Sequence, residues 1–440
     1  MRLFPNQELS DQISRVWKLS VPAILTQITS IVMQYIDSAM VGKLGAGASA
    51  AIGLVSTSTW LLGGLTSAVS VGFSVQVAQY IGARRPERAR QVLRHGLVTA
   101  ILFSGLLQAI STSISGDLPV WLGGETAIRR DASLYFLVFA LSIPFIQLNS
   151  LAASCLQCSG NMVTPSVLNA VMCGLDVAFN AIFIPMYGVL GASIGTALAT
   201  VVIALIMLWC CCFRSESLRI NRKEKSPLDW EILKRALKIG TPVGGEQVAM
   251  CGAMVASTVI IAPLGTVAIA AHSFAITAES LCYMPGYGVG SAATTLVGQS
   301  MGAREYRQAK RYGNICVGFS AALMGITGVV MFVACPLVFR LLTPDLQVRE
   351  LAAQVLRIGL IAEPLYAVSI AASRALRGAE DTLVPSVLNL VSIWVVRLGL
   401  ALILVPLWGL HGMWVAMATE LCIRGLLLLH RQLRSRYYTP

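Results

Sequence analysis

Between Ala132 and Leu175 the chain runs 44 residues without an Asp, Glu, Lys or Arg, and between Val177 and Phe213 another 37. Each run is long enough for two membrane-crossing helices of about 20 residues or slightly fewer apiece. The alternation of a membrane barrel is absent, so these spans are expected to be helical. In lipid, every backbone N–H and C=O must find a partner inside its own segment. Followed along the chain, the pattern predicts twelve spans: 17–42, 53–81, 92–115, 132–155, 163–186, 190–213, 237–264, 269–301, 312–336, 350–373, 383–405 and 409–430. Leu9, Ile13, Val16 and Trp17 form a short amphipathic run ahead of the first span, expected to lie on the membrane surface. The fold class is an all-α polytopic membrane protein.

The polar positions inside the first span are not scattered. In Thr26–Gly45, TQITSIVMQYIDSAMVGKLG, Gln27, Ser30, Gln34 and Asp37 follow at helical spacing and form one stripe. Asp37 lies nineteen residues past Lys18, roughly 28 Å along a helix. With Lys18 at one membrane surface, Asp37 sits inside the membrane, nearer the other. An acid at the centre of a span costs about 2.5–3.5 kcal/mol on insertion scales. That cost is sustained where the acid faces a wet cavity and exchanges a cation; the plainer alternative is an acid satisfied by a neighbouring helix.

The chain is also a repeat. Displaced by 220 residues, Pro22 meets Pro242, Gln27 meets Gln247, Gly45 meets Gly265, and GAR at 82–84 meets GAR at 302–304. VTPSVLN at 163–169 meets LVPSVLN at 383–389, and one residue out of phase Pro185 and Gly188 meet Pro406 and Gly409. Two pseudo-symmetric six-helix lobes follow, with expected bounds of 1–213 and 237–440 and a charged cytoplasmic linker at 214–236. Parallel repeats of this kind place the substrate site at the interface of their halves.

Composition narrows the function. The chain is 56% hydrophobic and only 12% charged, where a soluble protein carries about 25% charged residues. A net charge of +12 would point to nucleic acid if the basic residues formed one surface, but they sit in short loops. One side of the twelve-span layout holds 26 Lys and Arg and the other 6, with Arg397 left inside a span. By the positive-inside rule the protein is a multi-pass membrane protein with both termini cytoplasmic; no nucleic acid is expected. There is no short apolar region with a small-residue cleavage site at the N-terminus, so no cleaved signal peptide is read. The eleven cysteines fall mostly within apolar runs. Cys155-Leu-Gln-Cys158 lacks the second pair or nearby His of a zinc set, and Cys210–Cys212 reads as packing at the end of a span.

Candidate chemistry lies where the two halves differ in polarity. Opposite Asp37 the second half has Ser257; opposite Glu246 the first half has Thr26. In the fifth span Asp176 and Asn180 stand at i and i+4 on one face. With Asp37 they would supply oxygens for Na⁺ or a carboxylate that titrates; otherwise they are a polar pair holding helices together. In the second half, Glu246 and Gln247 follow Pro242 by one turn. Glu279 and Tyr283 are again i and i+4, and PGYGVG at 285–290 predicts a broken or bent helix. Glu363-Pro-Leu-Tyr366 adds an acid and an aromatic to the tenth span. Acids and tyrosines around an apolar cavity suit an organic cation, by charge and by cation–π attraction. The candidate substrate set is Gln34, Glu246, Gln247, Glu279, Tyr283, Glu363 and Tyr366, each with a structural role as its alternative. Arg397 neutralises a buried acid, either Glu363 or Glu420. Glu420 and Arg424 read as a structural i, i+4 pair, and His272 and His411 as packed residues.

These residues also carry a likeness. IDSAMVGKLG at 36–45 resembles the first-helix signature of the multidrug and toxic compound extrusion (MATE) transporters. PLGTVAIAAHSFAITAESLCYMPGYGVGSAATTLVGQSMGA at 263–303 and RALRGAEDTLVPSVLNL at 374–390 resemble the second half of its NorM-like branch. The resemblance implies a V-shaped pair of lobes around a central cavity, alternating access, and export of cationic or amphiphilic compounds against inward Na⁺ or H⁺. It assigns Asp37 to cation coupling, with Asp176 and Asn180 beside it. The fifth-helix order Asp176-x-x-x-Asn180 is the reverse of one branch's pattern. Met250 stands where another branch carries a seventh-helix acid. Both leave the coupling ion open. The expectation is a monomeric secondary antiporter for small organic cations in a lipid bilayer, with no cofactor beyond the coupling ion and no enzymatic activity. A lipid-linked oligosaccharide flippase of the same superfamily would want a basic cavity, whereas here acids outnumber the single buried arginine. A membrane enzyme would need a metal set or a nucleophile–base arrangement, and a channel would need repeated pore motifs.

Overall fold

The computed structural model describes residues 5–220 and 227–438; residues 221–226 of the expected linker lie outside them. Among the described residues there is no strand. The first half runs α1 (Pro5–Gly42), α2 (Ala46–Gly82), α3 (Pro86–Ile114), α4 (Thr126–Cys158), α5 (Val163–Tyr187) and α6 (Val189–Trp209), the last extended by a π turn at Cys210–Arg214. The second half runs α7 (Trp230–Ile261), α8 (Thr266–Gly302), α9 (Tyr306–Leu342), α10 (Leu346–Ile361), α11 (Glu363–Gly378), α12 (Leu383–Val391), a π turn at Ser392–Arg397, α13 (Leu398–Trp408) and α14 (Leu410–Arg434). Among the described residues eleven helical stretches are long and apolar enough to cross a membrane, and α10 with α11, bent by 54° at their junction, pass the same test as a pair.

Two details differ from the sequence expectation. The amphipathic run at Leu9–Trp17 is not a separate surface helix; it opens α1, which continues unbroken to Gly42. Of the break or bend expected at PGYGVG, the break does not occur: α8 runs through Pro285. The break falls in the tenth span instead, at Ala362, just ahead of Glu363-Pro364. Proline lacks a backbone N–H and disfavours helical geometry in the residue before it, so the chain stops α10 and restarts with Pro364 in the first turn of α11, where no N–H is needed.

The repeat is written into the backbone. Left-handed φ angles recur at matched positions: Gly45 and Gly265, Arg84 and Arg304, Gly160 and Glu380, Gly188 and Gly409. The first three pairs keep the 220-residue offset and the last is displaced by one. The structure accounts for that slip. α5 is regular throughout, whereas its counterpart contains the π turn at Ser392–Arg397, and a π turn absorbs one extra residue in an α-helix.

The chain forms two compact units, one of residues 29–247 and one of residues 1–28 with 248–440. The switch between units falls inside α1 and α7 at positions the repeat makes equivalent. In the first unit the opening of α7 packs on α2: Gln76 Nε2 donates to Ile232 O at 3.1 Å, and Gly244 lies against Ala68. In the second unit the opening of α1 packs on α8, and the sizes are exchanged. Ile24 lies against Gly288, where a Cβ would come within 2.6 Å of the α1 backbone. The core of the first unit joins Phe73, Leu93, Leu151 and Met207 with Cys155 and Cys210–Cys212. That of the second centres on Trp414, Phe339 and Leu356.

Candidate functional site

In the first unit, α1 brings Asp37 to the face of α5 that carries Asp176 and Asn180. The i, i+4 spacing stacks the two α5 side chains, and one amide joins all three. Asn180 Nδ2 donates to Asp37 Oδ1 at 2.9 Å and to Asp176 Oδ2 at 3.2 Å. Asp176 and Asn180 are 0% exposed, while Asp37 is half-buried. A second tie along the same helix pair, Asn169 Nδ2 to Ser30 Oγ at 3.0 Å, sets the register of α1 on α5.

The electrostatics of this cluster are lopsided. Among the described residues no Lys, Arg or His forms an ion pair with Asp37 or Asp176. Asp176 Oδ1 and Asn180 Oδ1 have no hydrogen-bond partner. Two carboxylates clasped by one neutral amide, one of them fully buried, call for a compensating positive charge, supplied by a bound cation or by a proton. The oxygens present (two carboxylates and an amide carbonyl) are the hard ligands that Na⁺ takes, and either carboxylate can hold a proton. Gly195 of α6 makes room for the arrangement, because a Cβ there would overlap Asn180 Oδ1. The sequence gives no signal for Gly195, one small residue among many in its helix.

In the second unit Tyr283 and Tyr366 meet across the α8–α11 contact, while Glu279 lies by Gly359 of α10 and Glu363 by Gly328 of α9. Tyr283 packs edge-on against Tyr366 with ring centroids 5.5 Å apart, and against Tyr287 at 6.1 Å. Glu363 is 1% exposed and neither of its carboxyl oxygens has a hydrogen-bond partner. Glu279 is buried beside Gly359 and Trp414. Glu246 and Gln247 belong to the first unit, where the Gln247 side chain lies over Gly64 of α2. Gln34 is exposed on α1. The seven candidate substrate residues are therefore divided between the units.

Of the two acids open to Arg397, the structure takes Glu420: Arg397 Nη2 and Nε reach Glu420 Oε2 at 2.6 and 3.1 Å. Arg424 completes the cluster at 3.1 Å from Glu420 Oε1 and lies 5.4 Å from the Tyr366 ring centre. With the π-turn slip counted, Arg397 stands at the repeat position of Asp176. The first unit leaves a negative pair there, whereas the second fills the place with its own cation. His272 packs edge-on against Trp414, and His411 meets Gln354 Oε1 at 3.0 Å.

The MatE family profile matches residues 22–182 and 242–403, one stretch in each half of the repeat. A probable multidrug resistance protein NorM of Thermotoga maritima is 27% identical over 97% of this chain and 93% of its own length. Another so named, from Rhodopseudomonas palustris, is 28% identical over 96% of this chain and 91% of its own. Among solved structures, a multidrug resistance MATE family transporter of the MOP superfamily in an outward-facing conformation superposes with a TM-score of 0.93 at 22% identity, covering 100% of both chains. A MOP superfamily transporter from Pyrococcus furiosus superposes with a TM-score of 0.92 at 21% identity, covering 99% of both chains.

Proposed function

Since the chain belongs to the MatE family, we propose that it is a multidrug efflux transporter driven as a secondary antiporter, with the Asp37–Asn180–Asp176 clasp as its coupling site. Supporting this reading is one observation: two membrane carboxylates share a single amide donor and have no basic partner among the described residues. A cation arriving from the outer side takes over part of the charge that Asn180 holds alone. Its binding changes how α1 seats on α5 and promotes release of the drug. On the inner side the cation leaves, the amide again spans both acids, and a new substrate enters. Alternating access carries the two ligands in opposite directions. The driving force is the ion gradient, plus about 2.3 kcal/mol per net charge per 100 mV of membrane potential.

The substrate class is the small organic cation or cationic amphiphile. The Glu279, Glu363, Tyr283 and Tyr366 group of the second unit offers it carboxylates and aromatic faces, while Gln34, Glu246 and Gln247 are separate polar candidates within the first unit. The protein sits in the cytoplasmic membrane with both termini inside, as the loop charges require. The test is extrusion of a fluorescent cation from reconstituted vesicles under Na⁺ and pH gradients imposed separately. Asp37→Asn is expected to abolish gradient-driven export while leaving the protein folded and inserted. Full export by that variant removes Asp37 from the mechanism.

A further inference from the structure

A cavity of about 800 Å³ opens between the N-terminal end of α5, the C-terminal end of α6 and the segment that follows the π turn, well within the size of a ligand site. It belongs wholly to the first unit and contains none of the candidate coupling or substrate residues. Its position relative to a bilayer follows from connectivity. α5 begins and α6 ends on the side where α2 delivers Arg84 and Arg85 and α6 delivers Arg214 and Arg219, the basic side that faces the cytoplasm.

The two ends of the cavity differ in chemistry. Toward the spans its wall is apolar and uncovered, with Val163 60%, Val167 54% and Trp209 54% exposed. Tryptophan at the end of a span marks the headgroup level. At the rim stand Arg214, Glu216 and Ser217. None of these three side chains has a hydrogen bond or ion pair with any described residue, although many neighbouring polar groups are engaged. Asn161 Oδ1, for instance, accepts from Thr164 N at 3.1 Å, and Ser159 Oγ donates to Leu156 O at 2.7 Å. One guanidinium and one carboxylate, two residues apart, cap an apolar trough.

We propose that this cavity is a binding site for phosphatidylethanolamine of the cytoplasmic leaflet. The acyl chains lie on Val163, Val167 and Trp209. The phosphate meets the Arg214 guanidinium, whose planar fork suits two phosphate oxygens. The headgroup ammonium donates to the Glu216 carboxylate. The charge pattern selects this lipid. A phosphatidylglycerol headgroup would satisfy Arg214 but bring Glu216 only neutral hydroxyl donors and no positive charge. A choline headgroup carries the same charges, but its quaternary nitrogen has no N–H to give Glu216, whereas a primary ammonium has three.

The experiment is native mass spectrometry of the full chain in detergent, titrated with phosphatidylethanolamine, phosphatidylcholine and phosphatidylglycerol of the same acyl composition. The ethanolamine lipid is expected to be retained about tenfold better than either competitor, the equivalent of one charge-assisted hydrogen bond. Arg214→Ala with Glu216→Ala is expected to erase that preference, and Arg214→Lys with Glu216→Asp to keep most of it. Val167→Trp, at an exposed position, is expected to lower retention by filling the trough. A thermal unfolding midpoint shows that each variant is folded. Equal retention of the three lipids overturns the proposal. So does a preference for phosphatidylglycerol, or an ethanolamine preference that survives both the double alanine and Val167→Trp substitutions.

Discussion

Gly195→Ala tests the coupling site without altering any group that would touch the cation. The added methyl would overlap Asn180 Oδ1, so the amide must retreat by about 1 Å to reach ordinary contact distance. Asn180 Nδ2 now stands 2.9 Å from Asp37 and 3.2 Å from Asp176. A movement of that size takes at least one of these beyond hydrogen-bonding range, since the bond weakens steeply past about 3.2 Å. A hydrogen bond to a charged group is worth roughly 1.5–3 kcal/mol, which translates into about a tenfold to hundredfold change in apparent affinity for the coupling cation. The assay is vesicle extrusion measured as a function of Na⁺ and proton concentration, so that ion affinity is separated from maximal rate. Gly191→Ala is the control. It collides with the Phe183 backbone one turn nearer the α5–α6 connection and not with the Asn180 side chain, so it should lower stability and leave ion dependence unchanged. Wild-type ion affinity in a folded Gly195→Ala protein would show that the amide clasp has no part in coupling.

Glu246→Gln is expected to change the drug spectrum or affinity more than the ion dependence; a shift in ion dependence would place coupling among the acids outside the Asp37 cluster. Arg397→Met withdraws one of the two cations from buried Glu420 and is expected to cost about 3 kcal/mol, read as a lowered unfolding midpoint in detergent; an unchanged midpoint would refute the structural role given to the pair. Arg304→Gly relieves a left-handed residue at φ 60° and is expected to raise stability by about 1 kcal/mol, a small upward shift of the same midpoint; a fall would mean that the arginine's side-chain contacts outweigh the backbone strain.

Much of this molecule was legible before any coordinates. Charge-free runs announce helical spans because lipid offers the backbone no hydrogen-bonding partner. The 220-residue offset announces two related halves because matched Pro and Gly mark matched backbone turns, and left-handed φ angles at those positions bear this out. The polar stripe through Asp37 and the i, i+4 pair Asp176 and Asn180 were also visible, because helical spacing alone puts such residues on one face.

The sequence could not say that α1 and α5 meet with one amide between two carboxylates, or that a missing Cβ at Gly195 leaves space for it; both depend on which faces of three separate helices touch. It left Arg397 suspended between Glu363 and Glu420. The packing of the π turn against α14 gave it to Glu420 and left Glu363 buried without a hydrogen-bond partner. Two prolines read alike along the chain, yet α8 continues through Pro285 while the tenth span breaks ahead of Pro364. Periodicity along one helix settles which residues share a face. Which neighbour that face meets is a property of the packed chain, set by contacts between residues far apart in sequence.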